Sequence, residues 1–259
     1  MHHFRSAILI VSFGAIPWIG NTQTSATPRQ RDPRAIELLT IAFTQMGGQS
    51  SGVKDFSIRG TITAEASPNA PIGTFVAKAR GEDWSLETNL GSNATSFKVL
   101  RGTGSIVKNG SKTYLYPSTT AGLTLDIFPL LGRWTEFNDP GSEITLVGQS
   151  VIDGETCFQV HVRSARLAAN PVQLNHHGEV DVFISSTSKI LPAIRYKVTA
   201  GRPMPHEVQI ENHYARYDHF GVLFIPTEIR RYMAGRSTGN FHISAIDTNI
   251  AFSDADFKN

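Results

Sequence analysis

Nine histidines, one cysteine and one G-x-S-x-G stretch are where this sequence could carry chemistry. The stretch GRSTG, Gly235 to Gly239, has the spacing of a nucleophile elbow around Ser237. An elbow needs a strand, a sharp turn and a helix, with the triad running Ser, acid, His. Here strand patterns lie on both sides, and the downstream His242 precedes Asp247. The stretch reads as a hairpin loop. Cys157 lies in ETCFQVHV, an alternating strand pattern. His161 shares its face, but four residues along a strand is about 13 Å, too far for a thiol–imidazole dyad. The thiol reads as a small buried hydrophobe.

The histidines do not assemble a metal site on spacing. His176 and His177 are adjacent in a loop, and His206, His213 and His219 follow at intervals that match no ligand motif. His213 and Glu211 share a strand face. Glu179, Asp181, Glu207 and Glu211 occupy alternating polar positions, the pattern of a solvated sheet face. RGTGSIVKNG has glycines but opens no helix, so it is no phosphate cradle. The expectation is a non-enzymatic protein with no cofactor and no metal.

The elements around these residues are mostly strands. DPRAIELLTIAFTQMGG predicts one helix, capped by Asp32, with Pro33 at its first position and Gly47-Gly48 at its end. Ile36, Leu39, Ala42, Phe43 and Met46 form its apolar stripe. From about Val53 the period becomes two. Trp84, Leu86 and Leu90 fall on one face, Phe97 aligns with Val99, and Tyr114 with Tyr116. Asp153-Gly154 marks a tight hairpin. A second hairpin runs through Tyr214 to Ile229, with Asp218 to Gly221 turning the chain and Pro226 requiring a sheet edge or bulge. About a dozen strands are expected in a meandering antiparallel sheet. TAGLTLDIFPLLGRW breaks the pattern with a short apolar helix at Leu123, Ile127, Leu130 and Leu131.

The ends and the composition bound the rest. MHHFR is a basic leader, SAILIVSFGAIPWIG an apolar stretch too short for a confident span, and Ala26 the expected last residue of a signal peptide. Residues 32–259 read as one domain. A net charge of +2 without basic runs argues against nucleic acid. No transmembrane span is expected in the mature chain, whose location would be periplasmic or secreted.

The aromatic residues are the informative ones. A concave sheet face can pack solidly or leave a cavity, and barrel mouths are common ligand sites. The candidate lining is Trp84, Leu86, Phe97, Val99, Tyr114 and Tyr116 on strands, roofed by Leu123, Ile127, Phe128, Leu131 and Trp134.

The order of elements and several local patterns resemble the LolA-like periplasmic proteins, which include a lipoprotein carrier, an outer-membrane receptor and an envelope sensor. The residues that carry this are Phe183-Ile184 followed by Leu191-Pro192; Tyr214, Tyr217, Asp218, Gly221, Val222, Ile225, Pro226 and Ile229; and Ile246, Asn249, Asp254 and Phe257. The resemblance implies an incomplete antiparallel β-barrel, mostly β in an α+β class. It would wrap around the N-terminal helix and a short mid-chain lid helix, with an apolar cavity for acyl chains. A lipid or acyl chain is then the expected partner, or a lipoprotein or other envelope protein. Two further readings stay open: an envelope interaction or stress-sensing module with a packed barrel, and a hydrolase built on Ser237 or a histidine–carboxylate cluster.

Overall fold

The computed structural model describes residues 30–48, 52–63, 72–81, 83–115, 139–163, 179–200 and 206–259. The first element is a helix, α1 (Pro33–Gln45). The Asp32 carboxylate accepts from the amides of Arg34 and Ala35 at 2.8 and 3.4 Å, so two of the helix's four orphan donors are satisfied. Gly47 takes a φ of +79° and the amide of Gly48 donates to the Phe43 carbonyl, which closes the C-terminus. Ala35, Leu38, Leu39, Ala42 and Phe43 form its buried side.

The strands of the N-terminal half are β1 (Asp55–Thr63), β2 (Ile72–Arg80), β3 (Asp83–Leu90), β4 (Asn93–Leu100), β5 (Thr103–Lys108) and β6 (Ser111–Tyr114). Those of the C-terminal half are β7 (Glu143–Ile152), β8 (Glu155–Arg163), β9 (Glu179–Ser185), β10 (Ala193–Ala200), β11 (His206–Phe220), β12 (Leu223–Met233) and β13 (Arg236–Thr248). A short 3-10 turn, Asp254–Phe257, ends the chain.

These 13 described strands make one antiparallel sheet in the order β6-β5-β4-β3-β2-β1-β13-β12-β11-β10-β9-β8-β7. Each half is a meander, and the halves join where β1 pairs with β13. β6 and β7 end the row unpaired with each other, so the sheet is an unclosed barrel, as expected. The segment carrying the expected mid-chain helix lies outside the described residues, as does the expected signal peptide.

The helix spans the sheet's inner face from one edge to a hairpin tip. Just before it, Gln30 to Asp32 bond to the outer side of β7, through Asp32 N–H to Ile144 O and Ile144 N–H to Gln30 O. Just after it, the Met46 carbonyl accepts from the amide of Phe224, at the β11–β12 turn. Leu39, Ala42, Phe43 and Met46 then share one core with inner-face residues of β1–β4 and β7–β13.

Two local expectations gain detail. The Asp153-Gly154 hairpin is present, with both residues at positive φ, 47° and 83°. The second hairpin turns later than its composition suggests. Pairing persists to Phe220 opposite Leu223, leaving Gly221-Val222 as the turn. His219 and Phe224 stack with ring centroids 4.7 Å apart, which favours zipping to the end. Pro226 is opposite Tyr217 on β11. β13 pairs with β12 only from Glu228 onward, so Pro226 is locally at an edge and its missing donor costs no ladder bond.

Candidate ligand-binding face

Register decides which side chains meet. Directly opposed residues share a face, so the pairings give rows running across the sheet. One row is Ile106, Phe97, Leu86, Ala77, Ile58 and Ile246, on six successive strands from β5 to β13. The next is Val99, Trp84, Ala79 and Phe56. A third includes Ile62, Phe241, Ile229 and Tyr214. Phe75 meets Phe241 edge-on, with centroids 5.1 Å apart. All of these but Ile106 belong to, or pack against, the core that contains α1.

The structure therefore brings together four of the strand residues expected to line a cavity. Trp84, Leu86 and Val99 are buried, and Phe97 packs against the same core. Tyr114 is elsewhere. It is opposite Ser105, which is opposite Lys98 and then Ser85, so it stands on the outer face, 70% exposed, with the Lys112 ammonium 5.0 Å from its ring centre. Tyr116, Leu123, Ile127, Phe128, Leu131 and Trp134 lie outside the described residues.

On the outer face, acidic and basic residues pair with each other. On the N-terminal half the chain end crosses it. Asp256 pairs with Lys78 at 2.9 Å and Asp254 with Arg80 and Arg101 at 2.7 and 2.8 Å, while Phe257 is buried beneath. On the other half, His161 meets Asp181 at 2.9 Å and Arg195 meets Glu211 at 2.8 Å. Glu211 and Asp153 hold His213 from two sides, at 2.6 and 3.0 Å. The His213 hydrogen bond, with Arg195 adding to it against the cost of burial, pushes the Glu211 carboxyl down to about 2. Burial alone would lower His213, but the bonds to Glu211 and Asp153 outweigh it and raise the value. The Asp181 hydrogen bond raises His161 likewise.

This arrangement makes ion pairs, as the sequence pattern of a solvated face predicts. Among the described residues, no group of three or more His, Cys, Asp or Glu could hold a metal. Burial pushes the Cys157 thiol up to about 11, so the inert thiolate precursor matches the structural reading. Ser237 is opposite Tyr232 in the β12–β13 ladder, not at a strand–helix elbow.

Two inner-face residues escaped the sequence reading. Asn212 and Arg231 are opposite each other on β11 and β12. Their signal was phase: Asn212 lies midway between Ile210 and Tyr214, and Arg231 two places beyond Ile229. Both are polar residues in step with the apolar set.

No family model matches the sequence, and no curated protein matches it. Solved structures do match. A LolA superfamily protein, NE2245 from Nitrosomonas europaea, aligns over 87% of this chain and 97% of its own, with 11% identity and a TM-score of 0.55. A DUF1329 family protein from Desulfovibrio piger aligns over 88% and 98%, with 9% identity and a TM-score of 0.54. The chain has the LolA-like fold. A Vibrio parahaemolyticus domain named for outer-membrane lipoprotein sorting shares this fold at a TM-score of 0.52 and 8% identity, over 86% of this chain and 96% of that one. At such identities the LolA-like fold is the whole of what the likeness conveys. No helix among the described residues is long and apolar enough to cross a membrane.

Proposed function

We propose that this protein binds the acyl chain of a lipid or of an acylated protein on the inner face of its sheet, and that it works outside the cytoplasm. In this reading residues 1–26 are removed on export and residues 32–259 act as a single domain. The observation that carries it is the row from Ile106 to Ile246. It is a continuous apolar track across six strands, about 24 Å long at the usual strand spacing. Leu86 within it and Trp84 and Val99 beside it are already buried. An acyl chain therefore gains this face by displacing existing packing, which favours slow entry and slow release. The LolA-like fold supports the reading because an open barrel over a helix can part without breaking its strand ladder.

Native mass spectrometry of residues 27–259, purified from the envelope without detergent, tests it. A lipid-sized adduct that leaves on denaturation supports acyl binding. A clean apo mass, with no uptake of added fatty acid or phospholipid, refutes it. That outcome would favour a protein-interaction module, a reading for which the exposed Val147 and Val151 on edge strand β7 speak.

A further inference from the structure

A second, smaller apolar cluster lies apart from the main core. Ile152, Cys157, Phe183 and Ala193 pack together, each 5% exposed or less. Register puts Phe183 and Ala193 on the outer face, in the row that runs on to His213 and Arg230. The cover of this cluster is the end of the β7–β8 hairpin. Ile152 is the last residue of β7, and Asp153 then turns the chain. Asp153 does not stay above its own strands. It reaches across β9 and β10 to His213 on β11, at 3.0 Å, and to Arg230 on β12, at 3.7 Å. The hairpin end is therefore bent over the outer face. The bend has a place in the strand: the register shifts between Leu146 and Gly148, and Gly148 takes a φ of +151° with no atom within 4 Å of where a Cβ would sit.

His213 decides how firmly the end is held. Its Nδ1 faces Asp153 Oδ2 at 3.0 Å and its Nε2 faces Glu211 Oε1 at 2.6 Å. A carboxylate only accepts, so bonding both requires a ring that donates from both nitrogens, and only the imidazolium does so. A neutral ring has one N–H and must release one partner. Glu211 has the stronger hold: its contact is shorter, it lies on the same strand, and its side chain is 18% exposed against 48% for Asp153. The other charges around the ring are cations. Arg230 lies opposite His213 on β12 and is shared with Glu228, and Arg195 on β10 is bonded to Glu211. Tyr232 on β12 contributes its ring, with centroids 4.8 Å apart. Once the imidazole is neutral, Asp153 is left with its longer contact to Arg230.

We propose that His213 is a proton-operated latch for the β7–β8 hairpin: its charged ring holds Asp153, and with it the hairpin end, closed over the outer-face cluster, and loss of the ring proton lets the end lift from the Gly148 bulge. Against the cost of burial, the bonds to Glu211 and Asp153 keep the ring charged above its ordinary 6.5. The latch is thus closed below 6.5 and loosens as pH rises through the raised value. Opening is local. It uncovers Ile152, Cys157 and Phe183, while Ile144, before the bulge, keeps its bonds to Gln30 and Asp32 at the entry to α1. The device does not depend on the acyl-binding reading.

Cys157, buried in the cluster, reports the opening. The mature chain is reacted with N-ethylmaleimide at about pH 6 and about pH 9. Each rate is divided by that of the urea-unfolded chain at the same pH, which removes the thiol's own titration. Loss of one charge-assisted bond predicts that the relative rate rises about tenfold between the two. Asp153→Asn, which keeps a residue tolerant of the turn's positive φ, and His213→Gln should both show the faster relative rate at either pH. His161→Gln, which alters the neighbouring pair with Asp181, should keep the rise. A relative rate that does not change with pH in the natural chain overturns the proposal. So does a rise that survives Asp153→Asn, or one that is lost in His161→Gln. Amide exchange, corrected for the intrinsic rate at each pH, separates the latch from unfolding. Residues 148–157 should lose protection at the higher pH while β1 keeps it, and loss in both overturns the proposal. The comparison of the two pH values in the natural chain needs no variant, so a misfolded variant would not shield the proposal.

Discussion

Replacing Gly47 by alanine tests how α1 is fastened to the sheet. Gly47 follows the helix at a φ of +79°, and an added Cβ would lie 2.2 Å from the Val222 carbonyl oxygen and 3.1 Å from Leu223 Cα. Both neighbours are backbone, so no rotamer change relieves the clash. An ordinary contact begins at 3.4 Å, so the helix end and the hairpin tip must part by about 1.2 Å. That parting stretches the bond from the Phe224 amide to the Met46 carbonyl, already 3.3 Å long, past bonding range. The left-handed backbone costs an alanine about 1 kcal/mol, the lost bond about 1 kcal/mol, and the loosened packing of the helix end against the hairpin tip about 1 kcal/mol more. Gly235→Ala is the control. It has a similar φ of +75° with nothing within 4 Å, so it incurs the backbone cost alone. Urea unfolding should show Gly47→Ala less stable than Gly235→Ala by about 2 kcal/mol. Equal losses for the two variants would refute the claim that the helix is held at the β11–β12 tip.

Phe257→Ala, which empties a fully buried site under the chain end, should cost about 3–5 kcal/mol in urea unfolding and expose residues 249–259 to proteases first. Glu211, held down at about 2 against an ordinary 4.5, stabilises the fold above pH 4.5, and this contribution, on the order of 2–3 kcal/mol, is lost as pH falls toward 2. Glu211→Gln should therefore flatten that acid limb of the stability curve. His213 has the opposite sign: its raised value stabilises the fold below 6.5 and the gain is lost as pH rises through it, so its imidazole pKa, followed by NMR, should fall in Glu211→Gln and in Asp153→Asn. Cys157, buried with its thiol pushed up to about 11, should resist maleimide in the native protein at pH 7 and react fully in urea.

Local chemistry was legible in the sequence where one residue decides the outcome. Asp32 and Gly47 bound α1 because a carboxylate and a glycine are what helix ends require, and Asp153-Gly154 turns because both residues accept positive φ. The alternation of Trp84, Leu86, Phe97 and Val99 placed them on the inner face because strand parity leaves no choice. Tyr114 went to the other face because parity restarts after every turn, and the Asn109-Gly110 turn set β6 in the phase that pairs Tyr114 with Ser105. The β11–β12 turn moved because pairing energy along the ladder outweighs the turn preference of Asp218. Asn212 and Arg231 were hidden for a different reason: periodicity assigns a face by its apolar members and passes over the polar residue in step with them. Strand partners were hidden too, since nothing in β1 names β13.

That last pairing sets the timing of assembly. Phe56 is opposite Thr248, so among the described residues the sheet's two meanders join through strands 192 residues apart in sequence. β1 keeps one edge open through synthesis of everything between, and the seam closes when the final strand arrives. Closing so long a loop is entropically costly and slow. Neither half can bury its inner face alone, because α1, next to β1 in sequence, packs against β7 and the β11–β12 tip of the other half. The sheet is thus built to stay in two unjoined halves until β13 has been made and can pair with β1.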